Sequence, residues 1–274
     1  MTSQQRIGFI GAGNMGSCLI HGLLKQGLLP NTLWVSDHHL EHLQPLAALG
    51  LNTAEENATI ATNVDILVLA VKPNSMKSII EALSAHLQSH RPLMISIAAG
   101  ITTQQIATWL KQTPCPIVRA MPNTPALLGQ GITGLYASDL VNASQQAMVS
   151  QLFEAVGQII WLSDESLMDV VTALSGSGPA YFFYFIECLI EAGVSLGLSE
   201  EDARKLTFQT ALGAAMMVQN STESPSVLRQ KVTSKGGTTE QGIKVLKDGK
   251  IAELLKQMLS AAFERGKTLS RTFD

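Results

Sequence analysis

The feature that most narrows what this chain can fold into is Gly11-Ala12-Gly13-Asn14-Met15-Gly16, placed directly after the apolar run 7–10 and opening a stretch of helical periodicity at 15–26. A short apolar run bounded by glycines reads as a buried strand, and apolar residues recurring at helical spacing read as a helix. Strand, glycine turn and helix in that order form the opening unit of a doubly wound sheet. The first glycine permits the tight turn, the second lets a pyrophosphate approach the backbone, and the third lets the helix pack on the strand. The helix N-terminus offers unpaired N–H groups and a partial positive charge to the phosphates. Gly11, Gly13, Asn14, Met15 and Gly16 are therefore candidates for holding a dinucleotide. A second apolar run, 33–36, ends in Ser36-Asp37 about 20 residues past the last glycine, which lifts the motif above a merely structural turn.

The alternation continues. Strand-like runs at 65–71, 93–98 and 117–120, with a further one at 159–162, are interleaved with helical stretches at 40–49, 75–89 and 103–111. Such alternation implies right-handed crossovers and a parallel sheet covered on both faces. Past residue 164 the strand signals fade, and 167–174, 179–196, 200–219, 243–247 and 251–268 read as helices. The expected architecture is a Rossmann-type α/β domain over 1–164 followed by an all-α domain over 165–274. Tyr181 to Phe185 on the longest helix suit tight packing, within one chain or between subunits, and the Met216-Met217 pair reads as core.

The chain has 274 residues, 46% of them hydrophobic and 15% charged, which excludes intrinsic disorder. Its apolar runs are strand-sized, far short of the roughly 20 residues of a membrane helix, and the N-terminal one is too short and glycine-broken for a secretory signal. Cys18, Cys115 and Cys188 are odd in number and far apart, so they read as buried thiols in a reducing cytoplasm. Residues 225–274 carry 10 basic and 5 acidic side chains. The two signs are interspersed with almost no aromatics, a solvated helical surface rather than a nucleic-acid footprint.

At the carboxyl ends of the expected strands stand further candidates. Asp37 could accept hydrogen bonds from the adenosine ribose and repel a 2′-phosphate, favouring NAD. Ser36, His38 and His39 could instead donate to that phosphate, favouring NADP, and Asn57 suits either. Ala70-Val71-Lys72-Pro73 ends the third run; Lys72 is either near the cofactor or a solvated loop residue, and Pro73 stiffens the turn. In Met121-Pro122-Asn123-Thr124-Pro125, Asn123 could hold a carboxamide or serve the turn alone. The stretch from Val232 to Gln241 sets Ser234, Lys235, Gly236, Gly237, Thr238 and Thr239 before a helix. Thr238 with Gln241 fits a capping box, which would leave Thr239 a free hydroxyl beside N–H groups able to bind a carboxylate. A glycine-rich turn with a helix cap is the structural alternative. All six histidines fall between 21 and 90, so the helical half has none for acid–base work. His38 and His42 have the spacing of a metal face but suit a surface helix equally, and no metal is expected. Gly176-Ser177-Gly178 lacks the spacing of a hydrolase nucleophile elbow.

Taken together the motifs resemble those of the Δ1-pyrroline-5-carboxylate reductases, nearly end to end. The resemblance is carried by Ile7 to Gly16, Ala70 to Pro73, Ser96 to Gly100 (SIAAG), Met121 to Pro125, Leu174 to Tyr181 (LSGSGPAY) and Val232 to Thr239 (VTSKGGTT). Lys235 departs from the pattern, since many members have Pro there. The resemblance implies hydride transfer from a reduced nicotinamide cofactor, NADPH or NADH, to the C=N carbon of 1-pyrroline-5-carboxylate, giving L-proline. It implies a homodimer, or a higher homo-oligomer built on it, with active sites at the interface. By position, the loop from Ser234 to Thr239 would bind the substrate carboxylate, Thr239 the ring nitrogen, Asn57 the adenosine ribose, and Ala99 and Asn123 the nicotinamide. Two alternatives remain open on the residues. A β-hydroxyacid dehydrogenase shares the two-domain plan but would place a Lys where Pro179-Ala180-Tyr181-Phe182-Phe183 stands; a non-catalytic dinucleotide sensor would have no use for the intact loop.

Overall fold

The computed structural model describes residues 5–111 and 113–271. Its sheet has eight strands, Ile7–Ile10 (β1), Leu33–Ser36 (β2), Asn52–Ala54 (β3), Ile66–Leu69 (β4), Leu93–Ser96 (β5), Ile117–Met121 (β6), Gly131–Ala137 (β7) and Gly157–Trp161 (β8). Between them run the helices Asn14–Lys25 (α1), Leu40–Ala48 (α2), Asn57–Ala61 (α3), Pro73–Ser84 (α4), Thr103–Trp109 (α5) and Ala143–Glu154 (α6). The spatial order is β3-β2-β1-β4-β5-β6-β7-β8. The order reverses beside β1, so the crevice at the carboxyl ends of β1 and β4 is the switch point at which such sheets bind ligands.

Period-two alternation divides the core between the two faces. Ile7, Phe9, Ile66 and Val68 join α1, α2 and α6 residues on one side, where Leu19, Leu23, Leu46, Leu152 and Phe153 are buried. Ile10, Leu67 and Leu69 join Ile60, Met76, Ile80 and Ile106 from α3, α4 and α5 on the other. Burying each such side chain contributes about 1.5–3 kcal/mol.

The expectation of a parallel sheet needs one correction, because β7 runs antiparallel to β6. Only 122–130 connect the two strands, too few for a crossover helix. β7 escapes a sequence reading because glycines interrupt it. They allow close approach, since a Cβ on Gly134 would meet Val171 at 2.8 Å and one on Gly131 would meet Ala126 at 2.8 Å. β3, polar and only three residues long, was equally illegible. α6 did carry a signal, the Asn142–Gln145 capping box, which its polar composition masks.

Past the sheet the chain forms Met168–Val171 (α7), a π-helical turn at Thr172–Gly176, then Gly178–Ser195 (α8), Glu200–Gln219 (α9), Pro225–Lys231 (α10), Thr238–Asp248 (α11) and Ile251–Arg271 (α12). Two compact units result, one of residues up to Ser177 together with those from Ala262 onward, the other Gly178–Ala261. In the second, α8 and α9 pack on each other and Gly193 faces the Ala203 methyl. Much of its apolar surface stays open in the single chain, with Phe182 71%, Phe183 64% and Tyr184 68% exposed. Met216 and Met217 are exposed too, so they are not core of this chain, and Cys188 is exposed whereas Cys18 and Cys115 are buried. Both corrections have one cause: α8 and α9 are apolar beyond the contact they make with each other. None of the helices among the described residues is long and apolar enough to cross a membrane.

Candidate functional site

The turn after β1 assigns each glycine a separate physical task. Gly11 has φ +100°, and a Cβ there would lie 2.5 Å from the Ala70 carbonyl oxygen. A Cβ on Gly16 would strike the Gly11 carbonyl, so α1 rests directly on the turn. Gly13 differs: nothing lies within 4 Å of where its Cβ would point. It is the N-cap of α1 and makes no side-chain cap, so the first N–H groups of the helix, at Asn14 and Met15, open onto that clear space. A pyrophosphate needs such a cradle of backbone donors without a side chain in the way, so these residues fit a bound dinucleotide.

The other cofactor candidates line the same edge of the sheet. Asp37, Asn57, Lys72, Ala99 and Asn123 follow the carboxyl ends of β2, β3, β4, β5 and β6. Lys72 is exposed as the N-cap of α4, and Pro73 fills the first helical position, where its missing N–H costs nothing. Ala70 and Val71 wall the Gly11 turn, and Ala99 is half-buried before Gly100, whose φ is +78°.

Three candidate side chains turn inward. The Asp37 carboxylate, in a residue only 7% exposed, accepts the Ala12 N–H at 2.7 Å and the His39 N–H at 2.8 Å, and lies 3.2 Å from His42 Nδ1. Burial pushes its carboxyl up, but the His39 and Ala12 N–H groups and the His42 ring outweigh that and hold it below the ordinary carboxylate value. Its oxygens clamp the glycine-rich turn, a role unlike that of a ribose acceptor. Ser36 Oγ donates to Asn57 Oδ1 at 2.8 Å. Asn123 is buried, and its amide donates to the Ser175 carbonyl at 3.1 Å and accepts the Ile132 N–H at 3.0 Å. It thereby ties the loop after β6 to β7 and to the π-helical turn.

β6 carries a further buried group that the sequence reading missed. Arg119 on β6, with a side chain 4% exposed, meets Glu165 at 3.4 Å and Asp169 at 3.2 Å, while Glu165 also accepts the Thr103 N–H and hydroxyl. The available signal was a lone Arg inside an apolar strand.

Ser234 to Thr239 belong to the helical unit. Gly236 has φ +77°, and a Cβ on Gly237 would meet Ser234 Oγ at 2.7 Å. The expected capping box at Thr238 does not form: Gly237 is the N-cap of α11, without a side-chain cap, and Thr238 is already helical. The tight turn from Gly237 N–H to the Ser234 carbonyl, 3.0 Å, starts the helix one residue too early for that box. Glu240 instead takes the Gly236 N–H at 2.8 Å. Thr238 and Thr239 are exposed, as are Ser234 and Lys235. The first-turn N–H groups of α11 therefore remain donors for an anion, beside the Thr239 hydroxyl.

Comparison with known proteins adds to this geometry. A family model described as pyrroline-5-carboxylate reductase dimerisation matches residues 165–269, and one described as NADP oxidoreductase, coenzyme F420-dependent, matches residues 6–100. The pyrroline-5-carboxylate reductase of Pseudomonas aeruginosa is 46% identical over 269 residues, 98% of each chain. That of Haemophilus influenzae is 40% identical over 271 residues, 97% of this chain and 98% of its own. A solved pyrroline-5-carboxylate reductase from Coxiella burnetii superposes with a TM-score of 0.92 at 44% identity, over 97% of this chain and 98% of that one. The Plasmodium falciparum pyrroline carboxylate reductase, solved with NADP bound, gives 0.88 at 32% identity over 98% and 100%. The dimerisation match covers the unit whose aromatic residues lie open, so that unit is a homo-oligomerisation domain. Since the Pseudomonas, Haemophilus and Coxiella proteins match it along nearly their whole length at 40% identity or more, the chain belongs to the pyrroline-5-carboxylate reductase family.

Proposed function

We propose that this protein reduces 1-pyrroline-5-carboxylate to L-proline with NADPH, NADH being the weaker donor, as the last step of proline biosynthesis. The observation that carries the reading is the start of α11, where uncommitted N–H groups and the Thr239 hydroxyl stand together. A cyclic imino acid needs that pairing, a site for a carboxylate and a donor for a ring nitrogen.

When bound, the dinucleotide supplies the hydride. The chain's part is binding, orientation and one hydrogen bond. Backbone donors from Ser234 to Thr239 hold the substrate carboxylate, aided by the α11 dipole. Gly11, Gly13, Asn14, Met15 and Gly16 hold the pyrophosphate, with Ser36, Asp37 and Asn57 shaping the ribose end. Ala70, Val71, Lys72 and Pro73 flank the cradle, and Ala99 and Asn123 shape the nicotinamide end through backbone and packing. On an iminium substrate the ring N–H donates to the Thr239 oxygen, and hydride addition at the electron-poor C=N carbon gives the neutral secondary amine directly. That form needs no strong acid from the protein. On the neutral imine the Thr239 hydroxyl donates to the nitrogen lone pair, and the amine takes its proton from solvent. Orientation of two reactants can supply about 7–11 kcal/mol at best.

The assembly we infer is a homodimer with its active sites at the interface, supported by the exposed Phe182, Phe183 and Tyr184. We place it in the cytoplasm, a compartment that suits three free thiols.

The deciding experiment follows NADPH and NADH absorbance with pyrroline-5-carboxylate and identifies the product. Proline formation is expected. A folded protein that binds a dinucleotide and turns over no pyrroline-5-carboxylate would overturn the reading. Sedimentation should return at least twice the monomer mass.

A further inference from the structure

The ribose end of the dinucleotide site poses a charge problem. In doubly wound folds the adenosine ribose lies beyond the carboxyl end of the second strand, where an acid selects NAD or a cation accepts the 2′-phosphate of NADP. Here the acid is withdrawn, because Asp37 is buried and clamps Ala12. Nor does the neighbouring sequence offer a Lys or Arg, since residues 26–71 contain neither. The side chains in that segment able to carry positive charge are His38, His39 and His42. All three gather just after β2. The His38 and His39 rings lie 4.2 Å apart between centroids, and His39 and His42 5.3 Å apart. His38 is 85% exposed and His39 53%, whereas His42 is turned toward Asp37 at 3.2 Å.

We propose that the exposed pair His38–His39 reads the 2′-phosphate of NADP(H), so that preference for the phosphorylated dinucleotide strengthens as the solution becomes more acidic. The proposal rests on the dinucleotide reading of the turn after β1. Its chemistry is a charge-assisted hydrogen bond from imidazolium to a phosphate dianion, roughly twice as strong as a neutral one. Imidazoles gain charge between about pH 8 and pH 5, and a phosphate monoester keeps its second negative charge above about pH 6. The two windows overlap near pH 6.5 and part by pH 8.5.

The groups around the pair are specific. Asp37 Oδ1 lies 3.7 Å from His38 Nδ1, and Glu41 Oε1 at the start of α2 lies 3.4 Å from His39 Nδ1. Glu55 and Glu56 follow β3, the strand beside β2, and Asn57 is uncharged and joined to Ser36. The Asp37 and Glu41 carboxylates oppose a bound phosphate that finds neutral imidazoles beside it, which sharpens the dependence.

The test is calorimetric binding of NADPH, NADH, 2′-AMP and 5′-AMP to the full-length protein at pH 6.5 and 8.5, without substrate. The NADPH-to-NADH affinity ratio should be about tenfold higher at pH 6.5, and 2′-AMP should follow the same trend against 5′-AMP. In the double variant His38→Gln/His39→Gln, both substitutions at exposed positions, the ratio should become flat. A flat ratio in the parent protein overturns the proposal, as does a pH dependence that survives the double substitution. Binding with a flat ratio leaves the reductase reading standing. Failure to bind either dinucleotide overturns both the proposal and the dinucleotide reading beneath it.

Discussion

The Asp37 carboxylate and the Ala12 amide, 25 residues apart in the chain, meet at 2.7 Å across the end of the sheet. This bond joins the end of β2 to the glycine-rich turn after β1, so the two parts of the proposed dinucleotide cradle are held in one geometry. Asp37→Asn removes the charge and weakens the bonds to Ala12 and His39. It should cost about 1–3 kcal/mol in urea unfolding at pH 7. The folded-state pKa lies below the unfolded value, so the contribution is complete above the unfolded value of about 4 and is lost as pH falls through the folded one. The gap between parent and variant should therefore narrow from pH 5 toward the acid limit. A gap independent of pH would count against the clamp.

Gly11 and Gly13 should respond differently to the same substitution. Gly13→Ala adds a methyl to open space at an N-cap, at a cost of about 0.5–1 kcal/mol, yet places it where the proposed site would seat the pyrophosphate. Dinucleotide affinity should fall by about tenfold or more while the thermal midpoint barely moves. Gly11→Ala meets φ +100° and the Ala70 carbonyl, and should lower the midpoint itself. Paired melting curves and NADPH titrations distinguish the two.

Arg119→Leu leaves Glu165 and Asp169 without their cation in a largely buried setting. Breaking one side of such a group typically costs 3–5 kcal/mol. Asn123 and the π-helical turn sit next along the chain from these partners, so NADPH KM should rise before the fold is lost. Denaturant midpoints and initial rates on the same preparation test both statements.

Thr239 is exposed at the start of α11. Thr239→Ala should leave the melting temperature close to that of the parent while lowering kcat by roughly 10- to 10³-fold, the range of a lost donor or general acid. Thr239→Ser should restore most of the rate. Unchanged kinetics in the Ala variant would remove this hydroxyl from the mechanism.

Much of the α/β architecture was legible from residues 7–121 because its rules are local. A positive φ at Gly11, period-two burial along β1 and β4, and the helical spacing of α1 each act within a turn or a strand, so they leave a mark in consecutive letters. The antiparallel β7 left a faint mark, since Gly131 and Gly134 answer to Ala126 and Val171 rather than to their neighbours in the strand.

At the candidate site the same division holds. The amino-acid order alone determined that Gly11, Gly13 and Gly16 would open a cradle, and that the run from Ser234 to Thr239 would end in a glycine-rich helix start. Tertiary structure decided which way the polar side chains turn. Asp37 reads as a ribose acceptor until Ala12 and His42 reach it, Asn123 as a free amide until Ile132 and Ser175 engage it, and Arg119 goes unread until Glu165 and Asp169 close on it. A buried carboxylate, amide or guanidinium must find partners, and those partners are chosen by what the packing of distant segments brings within about 3 Å, which sequence spacing does not encode.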